Sequence, residues 1–251
     1  MGLSELQREY LDAMGIQVWT RRNPAVEEQT QQDEPAEAQQ TAAATVSGTQ
    51  PGLVNEPVDR QWHRLEHEVS QCMLCEQLCQ TRTQTVFGVG HHNADWLIIG
   101  EAPGADEDRQ GEPFVGRAGK LLNGMLLAVG LKREQVFIAN ILKCRPPNNR
   151  DPRPEEVANC DDYLQRQIAL IRPRMILAVG RIAAQSLLEC DTPVGKLRGK
   201  MHQYHCHRAG DTPIPLVVTY HPAYLLRSPA EKRRAWQDLQ LARSIVDRGG
   251  E

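Results

Sequence analysis

Four short runs of apolar residues alternate with segments of helical periodicity, and this alternation limits the folds open to the chain. The runs, apolar throughout as in strands buried on both faces, lie at residues 96–100, 136–140, 175–180 and 216–220. Helical patterns cover residues 117–129, 154–170, 181–188 and 229–246. Buried strands joined by helices predict an α/β fold, a three-layer sandwich with a central, mainly parallel four-stranded sheet.

The region before this pattern has a different composition. Residues 23–58 contain no Lys, Arg or aromatic residue and hold six acids among Gln, Ala, Thr and Pro. Such a segment cannot bury enough apolar area to offset its ordering entropy. We therefore expect a disordered linker, with a root-mean-square span of about 33 Å, between a short N-terminal segment at residues 1–22 and one domain at residues 59–251.

Charge follows the same division. The whole chain has a formal net charge of −3, whereas residues 59–251 carry 26 Lys and Arg against 23 Asp and Glu, a net charge of +3. This mild balance permits a phosphate-binding face without requiring one. The sequence has neither an apolar run of membrane-spanning length nor a secretory signal pattern, so we expect a cytoplasmic protein with no membrane partner.

The cysteines favour a metal site. In a reducing compartment, seven cysteines argue against a disulfide framework. Cys72 and Cys75 form a C-x2-C pair, whereas Cys144 and Cys160 stand alone far downstream. One pair with two single cysteines suits a four-thiolate cluster assembled by the fold, because small zinc modules usually bring two close pairs together. The spacing by itself leaves open whether a metal binds.

Three polar residues stand at the ends of predicted strands. Glu101 follows the first run, Asn140 ends the second and His221 follows the fourth. In a parallel sheet, ligands bind outside the carboxyl ends of the strands. The pattern therefore predicts that these side chains share one crevice, although each alone is also compatible with an ordinary strand end.

These landmarks, in their order and spacing, resemble the family 4 (iron–sulfur) uracil-DNA glycosylases from about Cys72 to about Ala242. The motifs are Gly100-Glu101-Ala102-Pro103-Gly104, Asn140 with Cys144 beyond it, and His221-Pro222-Ala223. The resemblance implies an enzyme that hydrolyses the N-glycosidic bond of deoxyuridine in single- or double-stranded DNA, releasing uracil and leaving an abasic site. It implies a [4Fe–4S] cluster on the four cysteines named above, and a nucleoid-associated monomer.

The resemblance also implies roles for the crevice residues. Asn140 would read the uracil edge, Phe114 would stack on the ring, and His221 would donate to uracil O2 as negative charge develops there. Glu101 would orient water, support the sugar cation or hold the loop. The remaining substrate contacts would be Ala102 and, near the C5 edge where crowding excludes the thymine methyl, Glu107.

One departure from the family affects the cluster ligands. An extra residue separates Cys75 from Arg82 relative to the family's spacing, so Cys79 is an alternative ligand to Cys75, which we prefer. Cys190 and Cys206 match no family ligand. We expect them to be incidental thiols.

Two segments are candidates for DNA contact. Arg117 and Gly119 open a helix whose free N–H groups suit a phosphate. The stretch Tyr224-Leu225-Leu226-Arg227, with Leu225 and Arg227 as its main candidates, would supply an apolar wedge and a phosphate-binding cation. An ordinary helix start and a packed loop are the alternatives. No Lys occurs in the crevice motifs, so a Schiff-base lyase activity is not expected.

Two other functions remain open at this point. One is a non-catalytic iron–sulfur DNA-binding module, and the other is a glycosylase with a broader range of deaminated bases. Residues 6–22 predict a short amphipathic helix that ends near Gly15 and is followed by a Trp-containing stretch, and residues 10–19 resemble the chi-binding peptide of the clamp-loader psi subunit. We therefore expect a replication or clamp-loader partner there, with packing onto the domain as the alternative.

Overall fold

The computed structural model describes Arg8, residues 56–210 and residues 212–248. Apart from Arg8, the predicted docking segment lies outside these described residues, as does almost all of the predicted linker. The first helix of the domain, α1, begins at Val58, next to the predicted domain start at residue 59.

The centre of the domain is one mixed sheet of six strands. The strands are β1 (Val89–Gly90), β2 (Trp96–Gly100), β3 (Phe137–Asn140), β4 (Met175–Val179), β5 (Met201–Tyr204) and β6 (Ile214–Thr219). They are arranged in the order β1-β3-β2-β4-β6-β5. The four inner strands pair in parallel, and the outer strands β1 and β5 pair antiparallel to their neighbours.

Helices connect the strands in chain order. They are α1 (Val58–Ser70), α2 (Glu76–Thr81), α3 (Ala105–Gln110), α4 (Arg117–Ala128), α5 (Pro154–Ile171), α6 (Arg181–Leu187), α7 (Val194–Leu197), α8 (Pro222–Arg227) and α9 (Lys232–Arg248). Short 3₁₀ turns lie at Arg133–Gln135, Pro147–Asn149 and Pro229–Glu231. No described helix is long and apolar enough to span a membrane.

Two separate apolar cores confirm the three layers. On one face, alternate sheet residues such as Ile98 and Leu177 pack with residues of α4 and α9. On the other face, their sequence neighbours Ile99 and Ala178 pack with residues of α1, α5 and α6. Successive side chains of a strand point to opposite faces, so a strand covered on both sides must be apolar throughout. This explains why the inner strands read as continuous apolar runs.

The four predicted strands are confirmed as the inner strands of the sheet, but the predicted strand number was too low. The edge strand β1 has only two residues, and in β5, which has the sequence Met-His-Gln-Tyr, Tyr204 is the one buried residue. Short or polar edge strands lack the apolar run that marks a buried strand. The last predicted helix also begins later, at Lys232, after a 3₁₀ turn.

Candidate active site

The carboxyl ends of β2, β3, β4 and β6 meet at one edge of the sheet and open into a cleft of about 730 Å³. The predicted residues that line the cleft are Glu101, Ala102, Glu107, Phe114, Asn140, His221 and Arg227. Parallel pairing brings them together because Gly100 and Asn140 are register partners, and β6 ends two residues before His221. The predicted convergence of Glu101, Asn140 and His221 is confirmed.

Asn140 presents an unpaired acceptor within the cleft wall. Its side chain is 2% exposed, and its Oδ1 has no hydrogen-bond partner among the described residues. A Cβ on Gly100 would lie 2.5 Å from Asn140 Oδ1 and 2.7 Å from the Phe114 ring. Position 100 therefore has to be glycine, since both side chains converge on its backbone. A buried polar atom without a partner is costly, so a ligand donor would find a prepared acceptor here.

Phe114 is held in a loop of unusual backbone conformation. It has a φ of 53°, is 6% exposed and lies with its ring centroid 5.6 Å from that of His221. Two charged side chains support the loop. Arg133 Nη2 donates to Pro113 O at 2.6 Å, and Glu107 Oε1 accepts from the backbone N–H groups of residues 115 and 116 at 3.0 and 3.1 Å. The position of the ring is therefore determined by this loop.

His221 caps helix α8 and is neutral. Its Nδ1 accepts a hydrogen bond from Ala223 N at 3.1 Å, so the proton of the neutral ring lies on Nε2. Burial, with a smaller contribution from the Arg227 cation, lowers the pKa of His221 to about 4. At neutral pH the ring is therefore an uncharged N–H donor in the cleft. The backbone of Gly180, which has a φ of 97°, packs closely against the ring, because a Cβ on this residue would lie 3.0 Å from His221 Cβ.

Glu101 is a carboxyl with weakened acidity. Burial, and then the neighbouring Asp151 carboxylate, raise its pKa, while the Arg181 cation opposes the shift. Arg181 itself pairs with Asp151. An ionised Glu101 in this cleft is therefore less stable than in water, which is a common property of functional carboxyl groups.

The candidate DNA contacts divide into two groups. Arg227 is exposed at the cleft and Arg117 is exposed at the start of α4, as phosphate contacts require. Leu225 is only 1% exposed and belongs to the core, so the prediction that it forms a wedge was wrong. Gly119 is buried against the Phe114 carbonyl, because a Cβ built on Gly119 would lie 1.7 Å from Phe114 O. It permits close packing and is not placed for a phosphate.

The cysteine site, formed by Cys72, Cys75, Cys144 and Cys160, lies beside the cleft. Cys144 and Cys160 are buried in one apolar cluster with Cys75 packed against it, and Ala102 contacts the same cluster. Burial raises the pKa of Cys144 to about 12, although Arg82 opposes the shift. Burial likewise raises the pKa of Cys160 to about 11, against the opposing effect of Lys143.

Nitrogen donors surround the sulfur atoms. Arg82 Nη1 lies 2.8 Å from Cys144 Sγ, and Asn159 Nδ2 lies 3.5 Å from Cys75 Sγ. Cys79 instead donates its thiol to Cys72 O at 3.5 Å. Within residues 56–210 and 212–248, no group of three His, Cys, Asp or Glu side chains has the arrangement needed to hold one metal ion.

Comparison with known proteins identifies the family. A model of the Uracil DNA glycosylase superfamily matches residues 87–240. The chain belongs to this superfamily. A type-4 uracil-DNA glycosylase of Archaeoglobus fulgidus is 49% identical over 166 residues, which cover 64% of this chain and 81% of the relative. The type-4 enzyme of Thermotoga maritima is 39% identical over 189 residues, covering 74% and 95%. The resemblance to family 4 is thereby confirmed.

The superfamily cleft also contains residues that sequence reasoning missed. Further lining residues are Asn149, Arg150, Arg181, Tyr220 and Tyr224. Asn148 and Asn149 both have positive φ, at 54° and 52°, and the Pro-Pro-Asn-Asn sequence that contains them is a recognisable turn signal. Arg181 follows a strand end directly, so its position in the chain could have revealed it. Tyr224 and Leu226 belong to the segment predicted to form the wedge, so for them only the distinction from the buried Leu225 was missed.

Proposed function

We propose that the chain is a uracil-DNA glycosylase of type 4, which hydrolyses the N-glycosidic bond of deoxyuridine in DNA, releases uracil and leaves an abasic site. The observation that carries this proposal is the buried, unpaired Oδ1 of Asn140, which lies with the Phe114 ring against the backbone of Gly100. A flat base with an N–H donor fits such an arrangement. The relatives named as type-4 uracil-DNA glycosylases support it.

Asn140 would select the base by its hydrogen-bonding pattern. Uracil presents N3–H as a donor and O4 as an acceptor, so one side-chain amide accepts from the first and donates to the second. Cytosine presents the reverse pattern, which would leave buried groups unpaired. Such mismatches cost a few kcal/mol and give strong discrimination.

His221 would stabilise the departing base. As the glycosidic bond breaks, negative charge develops on the base, and a neutral Nε2–H directed at O2 becomes a stronger hydrogen-bond donor to it. Because Ala223 N–H holds Nδ1 as an acceptor, the ring does not have to change tautomer. The lowered pKa of His221 keeps it in this form at neutral pH.

Glu101 would act near the sugar. A carboxyl group in the cleft with a raised pKa suits three roles: orientation of the attacking water, electrostatic support of a cationic sugar, or maintenance of the loop. The sugar-side roles need the ionised form. Glu107 is already occupied by two backbone N–H groups, so its contribution to the C5 edge would act through the Phe114 loop.

A [4Fe–4S] cluster would be held by Cys72, Cys75, Cys144 and Cys160. The donor set fits, since buried thiols resist ionisation unless a positive centre deprotonates them, and Arg82 and Asn159 point N–H groups at the sulfurs. A four-iron cluster takes one thiolate per iron, so its ligands need not surround one ion. When bound, the cluster would cross-link the segments that carry its cysteines.

For the DNA itself, we assign the wedge to Leu226 and Tyr224. They are 38% and 37% exposed at the cleft-side helix α8, whereas Leu225 between them is buried. Leu226→Ala should leave stability within about 0.5 kcal/mol and slow excision from duplex more than from single-stranded DNA. Leu225→Ala, the matched variant, should cost about 2–5 kcal/mol of stability. If both variants slow excision from duplex DNA by the same factor, the assignment of the wedge is wrong.

A single-turnover assay tests the main proposal. Single- and double-stranded oligonucleotides bearing one uracil should be converted to abasic products, and Asn140→Asp should lose this activity or attack cytosine. Absence of product with the wild-type protein favours the non-catalytic DNA-binding module. Release of hypoxanthine at a comparable rate favours the broader glycosylase.

We further propose that residues 1–22 bind a replication partner such as the clamp loader. The support is the chi-binding resemblance of residues 10–19 and the acidic composition of the following linker. A linker of that length gives millimolar effective concentration of partner and enzyme. Deletion of residues 1–55 should abolish co-purification with the partner and leave the oligonucleotide rate unchanged, with Trp19→Ala reproducing the binding loss. An inactive deletion variant would assign the segment to the catalytic fold.

A further inference from the structure

A buried lysine lies between the cleft and the cysteine site. Lys143 is 1% exposed, and its Nζ donates to Asn140 O at 3.0 Å and to Gln167 Oε1 at 2.6 Å. Gln167 is also fully buried, and its Nε2 donates to Phe87 O at 2.9 Å. These bonds form one chain that ends on the backbone of the residue assigned to read uracil.

The surroundings of this chain connect both sites. Lys143 directly precedes Cys144 in the chain. Gln167 lies seven residues after Cys160, so Gln167 and Cys160 are on one face of α5. The backbone of the same segment is tied to the cleft motif, because Leu142 N donates to Glu101 O at 3.1 Å. A shift of the Lys143 side chain would therefore be transmitted to Asn140.

The charge of Lys143 is not neutralised by a carboxylate. Its two hydrogen-bond acceptors are neutral carbonyl oxygens, and the salt bridges of the described residues do not include it. A buried ammonium group is costly unless it is paired or used. The groups that interact electrostatically with Lys143 are Cys160 and Cys144 of the cysteine site.

We propose that Lys143 is a positioning residue for base excision, which fixes the Asn140 peptide through the chain to Gln167. This inference rests on the proposed function of the cleft. Lys143 acts through Asn140, since of these two residues only Asn140 lines the cleft. Its effect therefore concerns the geometry of the base site and not the contacts to the DNA backbone.

Three variants test the proposal. Lys143→Met keeps the approximate length of the side chain and removes the charge with both hydrogen bonds. Gln167→Leu removes the second anchor of Lys143 together with the bond from Gln167 to Phe87 O. Gln165→Leu is the matched control, because Gln165 is a buried residue of the same helix whose side chain bonds to Tyr204 OH at 2.7 Å and has no part in the chain to Asn140.

The readouts are the single-turnover excision rate, the affinity for free uracil by calorimetry and the affinity for an oligonucleotide with an abasic site. Lys143→Met should lower the excision rate and the uracil affinity by about 10- to 100-fold each. Gln167→Leu should lower both by a smaller factor, because Lys143 keeps its bond to Asn140. Affinity for abasic DNA should stay within about twofold of the wild-type value in all variants, since the contacts to the DNA backbone are remote from the substituted residues.

The outcomes separate the proposal from a general structural role. Gln165→Leu should lose thermal stability without losing uracil affinity. Equal uracil affinity in Gln167→Leu and Gln165→Leu overturns the proposal, also if Lys143→Met does not fold. A parallel loss of affinity for abasic DNA overturns it as well, because it indicates disorder of the whole domain. A wild-type protein that releases no uracil instead refutes the proposed function.

Discussion

The cleft and the cysteine site are neighbours in the structure, and they differ in how their buried polar groups are satisfied. In the cleft, Asn140 Oδ1 has no partner among the described residues, and His221 is a neutral ring. In the cysteine site, the sulfurs of Cys144 and Cys75 already face N–H groups of Arg82 and Asn159. Ala102 contacts both regions.

This difference reflects what each region would bind. A neutral base becomes an anion only during the reaction, so the cleft requires donors and acceptors that are already positioned but have no protein partner. A thiolate cluster is negatively charged at all times, so the cysteine site requires permanent cations and donors. Substitutions should therefore change the reaction rate in the cleft and stability in the cysteine site.

The largest expected effect is on stability, in the cysteine site. Cys144→Ser should reduce the free energy of unfolding by about 3–5 kcal/mol, because Arg82 would be left partly buried without its anionic partner. The melting temperature should fall by on the order of 10 °C, together with loss of bound iron. Cys190→Ser, a half-buried cysteine outside the site, should change neither calorimetric stability nor iron content. Equal melting temperatures in the two variants would argue against a metal-binding role.

In the cleft, His221→Ala should mainly slow the reaction. Loss of one anion-stabilising donor should reduce the single-turnover rate by about 100- to 1000-fold, whereas affinity for abasic DNA should change little. The exposed His205 supplies the control, since His205→Ala should keep the wild-type rate. If His221→Ala weakened DNA affinity by the same factor as the rate, the residue would be a DNA contact.

Stability should depend on pH through His221. The folded pKa of about 4 lies below the ordinary value of 6.5, so the unfolded chain binds more protons between these values. Stability from the neutral ring is fully present above pH 6.5 and is lost as the pH falls towards 4, by at most about 3 kcal/mol. Urea unfolding at pH 7.5 and 5 should show this loss, and His221→Gln should reduce it. If the stability of the variant falls with decreasing pH as steeply as that of the wild type, other groups cause the loss.

The smallest effect is expected for Glu101→Gln. The folded pKa of Glu101 is raised, so its favourable contribution is present below the ordinary pKa of 4.5 and is lost as the pH rises. At pH 7 the variant should therefore be more stable, by at most about 1 kcal/mol after solvent screening, while its excision rate falls. Thermal melting of the variant and the wild type at pH 7 and pH 4 measures this difference in stability. A variant less stable than wild type at pH 7 would mean that the carboxylate holds the loop.

The fold and the principal cleft residues could be predicted from sequence because their signals are local. An inner strand such as β2 must be apolar on both faces, so it is visible as a continuous run. Glu101, Asn140 and His221 stand directly at strand ends, where topology alone brings them together. The edge strand β5 carries no such signal, since Tyr204 is its one buried residue.

The wrong predictions depend on contacts that are distant in sequence. Leu225 and Leu226 are equivalent in the sequence Tyr-Leu-Leu-Arg, but consecutive helical residues point about 100° apart, and only one can face the core. Packing of α8 against α4 selects Leu225 for the core and leaves Leu226 exposed. Gly119 likewise has the sequence context of a phosphate contact, but the Phe114 carbonyl lies directly against it.

The sequence by itself determined the order of the four inner strands and the long helices between them, the set of side chains at the strand ends and the resemblance that points to uracil excision, because periodicity and spacing are properties of the chain. Only the tertiary structure decided which buried polar atoms have partners. It left Asn140 Oδ1 unpaired, lowered the pKa of His221 and joined Lys143 to Asn140 through space. Such properties depend on desolvation and on distances between side chains, which exist only after the layers of the sandwich have packed together.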